Sequence, residues 1–208
     1  YVGFKYGTVG ASSYTGAHEN LNESDVLHFL NYWFETQNDF SQFSDQIADT
    51  EWCADKTISS TAFDPWNHSP NGLGYAKNNT YYGAMTRLVS STGHIGGTGP
   101  SLKCSGRFSK INSKVGLLAA DEVVFAGYGY SSSYSSSYLS ENTGSDHWWW
   151  TMTPAFHISG GSSVFVVGHD NFSSYSVSNK FAVRPAISLK KSVLSTGNGT
   201  REDPFVVE

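Results

Sequence analysis

Charge is scarce in this sequence. Asp, Glu, Lys and Arg make up 15% of the 208 residues, against about a quarter in an average soluble domain. Solubility therefore has to come from neutral polar groups, chiefly Ser, Thr, Asn and Gly, as in extracellular β-rich proteins and engineered binding loops. The formal charge is −5, and no basic cluster is longer than Lys190-Lys191. That excludes a surface that tracks nucleic-acid phosphates. Long apolar runs are missing too, and no segment approaches the ~20 apolar residues of a membrane span. No export signal opens the chain. Tyr1 leads straight into a polar, Gly-containing stretch, as expected of a piece of a longer protein.

Cysteine is nearly absent. Cys53 and Cys104 are the two present, and their spacing fits no zinc or redox motif. A single disulfide is the favoured reading, with a reactive thiol and two buried free thiols as the alternatives. A disulfide would stabilise by about 4 kcal/mol in the chain-entropy model and would imply an oxidising, extracytoplasmic setting.

Catalytic signatures are missing as well. There is no G-x-S-x-G elbow, phosphate loop, H-E-x-x-H, EF-hand loop or G-x-G-x-x-G before a helix. His157 and His169 flank a Val-rich stretch and would need Asp170 as a third ligand to hold a metal. Two polar surface residues are the favoured reading, so no metal and no cofactor are expected. The adjacent carboxylates Asp121 and Glu122 invite an acid/base reading. Neighbours on a helix point about 100° apart, which favours helix-end electrostatics over catalysis. Arg184 sits in an otherwise apolar stretch before Pro185 and reads as a structural clamp.

Aromatic residues are what the chain has in quantity, at 15%, and this excludes disorder for the bulk of it. They concentrate between Asp146 and Lys190. Three tryptophans, Trp148 to Trp150, open that stretch, and Phe156 to Phe181 is built almost wholly from Ser, Gly, Asn, His, Tyr, Phe and Val. Aromatics offer contact area at low entropy cost, while Ser, Gly and Asn offer adaptable hydrogen bonds. A display surface on a rigid scaffold is the leading reading.

Periodicity gives a coarse map. Residues 1 to 20 read as a strand or two with turns. Leu21 to Gln37 reads as a helix with Asn22 as N-cap, Leu21 and Val26 as a staple, and Val26, Leu30, Trp33 and Phe34 as the apolar face. Its His28 reads as a surface or core-edge residue. Short helices are expected at 40–47, 80–89 and 119–126, a loop at 57–79 and a buried strand at 115–118. The Tyr/Ser tract 128–140 is either a flexible loop or a binding loop. A β-meander runs from Ser162, with strands at "SVFVVG", "FSSYSVS" and "FAVRPAISL". No repeat and no domain boundary is evident, so residues 1–208 read as one domain.

Several segments, in order, resemble a known family: "LNYWFETQ…IADTEWCADKT", "TYYGAMTRL…SLKC", "VGLLAADEVVFAG", "WWWTMTPAF" and "FAVRPAISLKKSVLSTGNGTREDPFVV". They are similar to a domain of surface proteins from gut Gram-positive bacteria and their phages, and span roughly residues 30–207. Ala119 departs from the family, where Thr often caps the helix. The resemblance implies an α+β, C-type lectin-like fold of the formylglycine-generating-enzyme-like subclass, with helices on a small twisted antiparallel sheet. It implies Cys53–Cys104 pairing. It also implies that residues 155–180 are a variable ligand-binding segment, as in the variable proteins of diversity-generating retroelements, on a scaffold that includes Trp148 to Trp150 and "VRPAISL". The catalytic cysteines of formylglycine-generating enzymes have no counterpart here, and neither have the calcium motifs of carbohydrate-binding C-type lectins.

The expected function is a non-catalytic receptor- or adhesin-type module that binds a protein or glycan on a cell surface. Its expected location is the bacterial cell surface or a phage particle. The expected contact residues are Phe156, His157, Ser159, Phe165, His169, Asn171, Phe172 and Tyr175, with Tyr130, Tyr134 and Tyr138 as a second wall. The alternative is a stalk, tip or pilus-associated domain without a dedicated ligand.

Overall fold

The computed structural model describes residues 4–37, 40, 42–59, 79–89, 97–130, 137, 139, 147–158, 160–169, 171–193, 195–200 and 202–207. The architecture is α+β, with small antiparallel sheets and short helices. In chain order the elements are β1 (Lys5–Tyr6), α1 (Tyr14–His18), β2 (Asn22–Glu23), α2 (Asp25–Thr36), β3 (Thr50–Cys53), β4 (Thr80–Tyr81), α3 (Gly83–Leu88), β5 (Lys110–Ser113) and β6 (Val115–Gly116). They continue with α4 (Ala120–Phe125), β7 (Trp149–Ile158), β8 (Gly161–Val167), β9 (Phe172–Ser176), β10 (Ala186–Ile187), β11 (Ser195–Thr196) and β12 (Val206–Val207).

The organising element is a four-stranded sheet in the order β4-β7-β8-β9. Successive residues of a strand point to opposite faces, and here both faces are covered. Trp150, Met152, Val164 and Val166 enter one core cluster with Leu27, Leu30 and Phe34 of α2. Trp149, Ala155, Phe165, Val167 and Phe172 enter a second cluster with Ala84 and Met85 of α3 and Ala120 and Val123 of α4. A strand buried on both faces has no reason to alternate, which explains the unbroken "VFVV" of β8. Pro154 lies in β7 where the register with β8 shifts, a position a strand proline can occupy.

The start of α2 differs from the sequence expectation in its cap and its staple. The cap is Ser24, not Asn22: Ser24 Oγ accepts from Leu27 N at 3.2 Å. Asn22 is held in β2 opposite Tyr6, and its Nδ2 donates to Gly7 O at 3.1 Å. Leu21 is exposed, so no staple forms. Leu27, Leu30 and Phe34 form the buried face, while Val26 and Trp33 pack at its margin. His28 is exposed.

Other elements also differ. Residues 42–46 form turns rather than a helix, and Ile47 bridges Leu189. Residues 14–18 are helical where a strand was expected. The expected strand at 181–189 is split about Pro185. Ala182 exchanges hydrogen bonds with Trp148 and Trp150, β10 pairs with β6, and Leu189 pairs with Ile47. This segment stitches three regions together.

Cys53 and Cys104 form a disulfide, joining the end of β3 to the segment before β5. Trp52 lies against Gly116, where an added Cβ would come within 2.3 Å of the indole. That contact requires glycine in β6. No helix among the described residues is long and apolar enough to cross a membrane.

Candidate functional site

An aromatic ledge forms where the sheet meets its flanking turns. Register places Tyr175 of β9 opposite Val164 of β8, and Phe172 opposite Val167. Residues 172 and 175 have opposite parity, so when Phe172 turns into the core, Tyr175 turns outward. Tyr175 is 40% exposed. Its ring meets Trp148 edge-on at 5.1 Å and Phe181 edge-on at 5.4 Å. Trp148 and Phe181 are both half-buried. Phe181 in turn packs on Trp150 at 4.9 Å. Trp148 lies over Gly168, where an added Cβ would come within 3.2 Å of the ring. A glycine there lets the indole lie down on the end of β8.

The turn after β9 gives the ledge a polar rim. Ser176 Oγ and Ser178 Oγ are 2.9 Å apart, Ser178 N donates to Ser176 Oγ at 3.3 Å, and Asn179 Nδ2 donates to Ser176 O at 3.0 Å. Lys180 and His169 are exposed nearby in sequence. Beside the ledge, a cavity of about 220 Å³ opens between the first turn of α2 and the sheet. Trp150, Val177 and Asn179 line it from the ledge side, and Ser24 and Asp25 from the helix.

The structure redistributes the expected contact residues. Phe165 and Phe172 are fully buried, stacked at 4.9 Å with their planes 10° apart. His157 is buried with Nδ1 2.8 Å from Ser162 Oγ, and burial lowers its pKa. These three are core residues, a correction that follows from the cover on both faces of the sheet. Phe156 and Asn171 are half-buried; His169 and Tyr175 are exposed. Tyr130 is packed edge-on against Phe165 and Phe172, with its hydroxyl 3.0 Å from Ser174 Oγ. Ser159, Tyr134, Tyr138 and Asp170 lie outside the described residues.

His157 and His169 do not converge. His157 pairs with Ser162, while His169 follows the Val167 end of β8, so roughly 17 Å of strand lies between them. Among the described residues no group of three or more His, Cys, Asp or Glu is placed to hold a metal. Trp148 and Phe181 were not among the expected contacts. Alternation in β9 around a buried Phe172 marks Tyr175 as outward-facing, but Trp148 and Phe181 lie outside β9 and no local pattern marks them.

Polar groups elsewhere fasten the scaffold. Arg87 of α3 makes a bidentate pair with Asp121 of α4, at 2.7 and 2.6 Å, and reaches Asp55 at 2.7 Å. Asp121 also accepts from Ser101 N at 2.7 Å. Burial alone would lower the Arg87 pKa; its two carboxylate partners reverse this and raise it. Asp121 is therefore a buried tie between elements, and the helix-end role falls to Glu122, which accepts from Ala119 N at 2.7 Å. The cluster borders a polar cleft of about 520 Å³ that also contains the disulfide. Asp55 sits at φ +33°, a conformation costly for a non-glycine residue that its carboxylate contacts hold in place. Arg184 clamps as expected, donating to Leu139 O at 2.7 Å with its guanidinium over the Trp149 ring.

A second buried group closes α1. Lys56 is fully buried, and its Nζ donates to His18 O at 2.9 Å and Asn20 Oδ1 at 2.6 Å. A cation at the last carbonyls of a helix is favourable, but these acceptors are neutral, and burial lowers the lysine pKa to about 7. His18, also fully buried, lies 3.0 Å from Tyr14 O through Nδ1 and 3.1 Å from the Tyr82 hydroxyl through Nε2. Burial, with Lys56 nearby, lowers its pKa to about 4 against the hydrogen bond to Tyr14.

No curated protein and no solved structure matches the chain. A family model does match, over residues 86–191, just over half of the sequence. The matched span contains Arg87, Asp121, β7 to β10 and all three rings of the ledge. The chain belongs to that family, described as a domain of unknown function, DUF6273.

Proposed function

We infer that this chain is a ligand-binding, surface-display module of receptor or adhesin type, built on a C-type lectin-like fold and working outside the cytoplasm. The observation that carries this reading is the ledge of Trp148, Tyr175 and Phe181 on a sheet buried on both faces. Partly exposed aromatics on a rigid support form contact area that loses little entropy on binding. The disulfide fits the extracytoplasmic setting. The exposed residues Ser178, Asn179 and Lys180 of the turn after β9 belong to neither core cluster, so they can change without disturbing the core, which suits diversification by a retroelement.

The test is binding of the fluorescently labelled chain to bacterial and host cells, comparing the natural sequence with Tyr175→Ala. The expected result is saturable binding that falls at least tenfold in the variant, with an unchanged melting temperature. Absence of saturable binding to any cell type would overturn the reading. The burial of Phe165, Phe172 and His157 favours a second reading, a stalk or tip domain without a ligand, and that domain would give this negative result.

A further inference from the structure

We propose that the ledge and its neighbouring cavity form one site for a neutral oligosaccharide, with a terminal sugar in the cavity and the next ring on the aromatic rings. The proposal rests on the ligand-binding reading above and names the ligand class. Trp150 and the turn at Val177 and Asn179 join the two parts, since they line the cavity and adjoin Phe181 and Tyr175.

Size is the first argument. The cavity measures about 220 Å³, and a cavity of about 150 Å³ can hold benzene. One monosaccharide is therefore the right scale, whereas a folded partner could insert only a single side chain. The lining is the second. Phe4, Leu117, Met152 and Val164 supply buried apolar lining, and the exposed Asp25 and Asn179 supply polar groups. A sugar has the matching two-sided character, with C–H faces and hydroxyl edges. Asp25 makes no ion pair among the described residues, so its carboxylate is available to accept from hydroxyls. Among the described residues it is the single charged group in the lining, and it would repel a glycan carboxylate.

The third argument is preorganisation. The rings of Trp148 and Phe181 stand at 61° and 76° to that of Tyr175, which makes a corner where one pyranose can lie on a ring face with others at its side. The Ser176–Asn179 turn is already fixed by its own hydrogen bonds, so its hydroxyl and amide groups lose little freedom when they meet a ligand. Between Asn171 and Phe181 the one charged side chain is Lys180. Apart from Lys180, the polar side chains of this stretch are neutral.

The test uses the whole 208-residue chain on immobilised neutral xylo-, cello-, malto- and chito-oligosaccharides and on acidic uronic-acid and sialylated ones. Tryptophan fluorescence titration gives the affinities. The expected result is binding to at least one neutral series with a change in emission. Affinity should fall tenfold or more in both Tyr175→Ala and Asp25→Asn while circular dichroism is unchanged, and acidic glycans should bind more weakly. A glycan affinity that neither substitution alters would overturn the site. If cells are bound through Tyr175 but no glycan is, the ligand is a protein: the sugar class fails and the ligand-binding reading stands. If neither cells nor glycans are bound, both fail.

Discussion

Acid should destabilise this protein earlier than its carboxylates would demand, and His18 is the reason. The imidazole is fully buried between Tyr14, stacked at 4.4 Å, and Tyr82. A carbonyl can only accept, so Nδ1 carries the proton toward Tyr14 O and Nε2 accepts from the Tyr82 hydroxyl. A second proton would have to enter a buried site close to Lys56. The folded pKa is about 4 against an ordinary 6.5. The unfolded chain therefore takes up a proton near pH 6.5, and the folded chain does not until pH 4. A group of this kind is stabilising above its unfolded pKa relative to acid, and that stability is lost as pH falls. Linkage gives a loss of about 2 kcal/mol on going from pH 7 to pH 5 and about 3 kcal/mol below pH 4. That is a large share of a typical total of about 5–15 kcal/mol. Urea denaturation at pH 7, 6 and 5 measures it, with His18→Asn as control. The asparagine keeps a donor toward Tyr14 O and cannot titrate. Buried His157 has the same sign and contributes to both proteins, so the difference in slope isolates His18. Equal pH dependence in the two proteins would refute the argument.

Reduction of Cys53–Cys104 should lower stability by about 4 kcal/mol for a loop of this length, given the sequence separation of 51; melting temperature with and without reductant measures it. Replacing Arg87 with Met should cost about 3–5 kcal/mol, because it leaves Asp55 and Asp121 buried without their cation. In chemical denaturation, adding Asp121→Asn to Arg87→Met should recover part of that loss.

Legibility in the sequence followed the physics of each element. α2 was legible because it covers one face only, and its apolar residues recur at helical spacing. Its start was misplaced by two residues, since Asn22 and Ser24 are both competent caps and only the pairing of Asn22 with Tyr6 decides between them. β8 and β9 were legible from β-branched and aromatic runs between turn residues. β7 was missed: its "TMTP" lacks alternation and includes a proline, and a register shift in pairing with β8 is what accommodates it. The partnership of Arg87 with Asp55 and Asp121 spans 32 and 34 residues, and no local pattern records such a contact. Asp121 looked like a helix-end charge because that is all its own helix reveals.

The displacement of the candidate site has the same origin. Composition singles out the stretch that carries the ledge, but it cannot separate the residues left exposed from those that support them. Phe165 and Tyr175 belong to one vocabulary and sit on adjacent strands, yet one is sealed between two layers of side chains and the other is at the edge. What separates them is cover. α3 and α4 close one face of the sheet over Phe165 and Phe172, and α2 closes the other over Trp150 and Val164. α2 ends its cover near Asp25, and β9 is an edge strand. The aromatic side chains beyond that limit, Trp148, Tyr175 and Phe181, are left half in water. A surface at this margin inherits the rigidity of the core it packs against. Substitutions at Tyr175, Ser178 or Asn179 should therefore alter recognition with little loss of fold, whereas the same substitutions at Phe165 or Phe172 should cost the fold first.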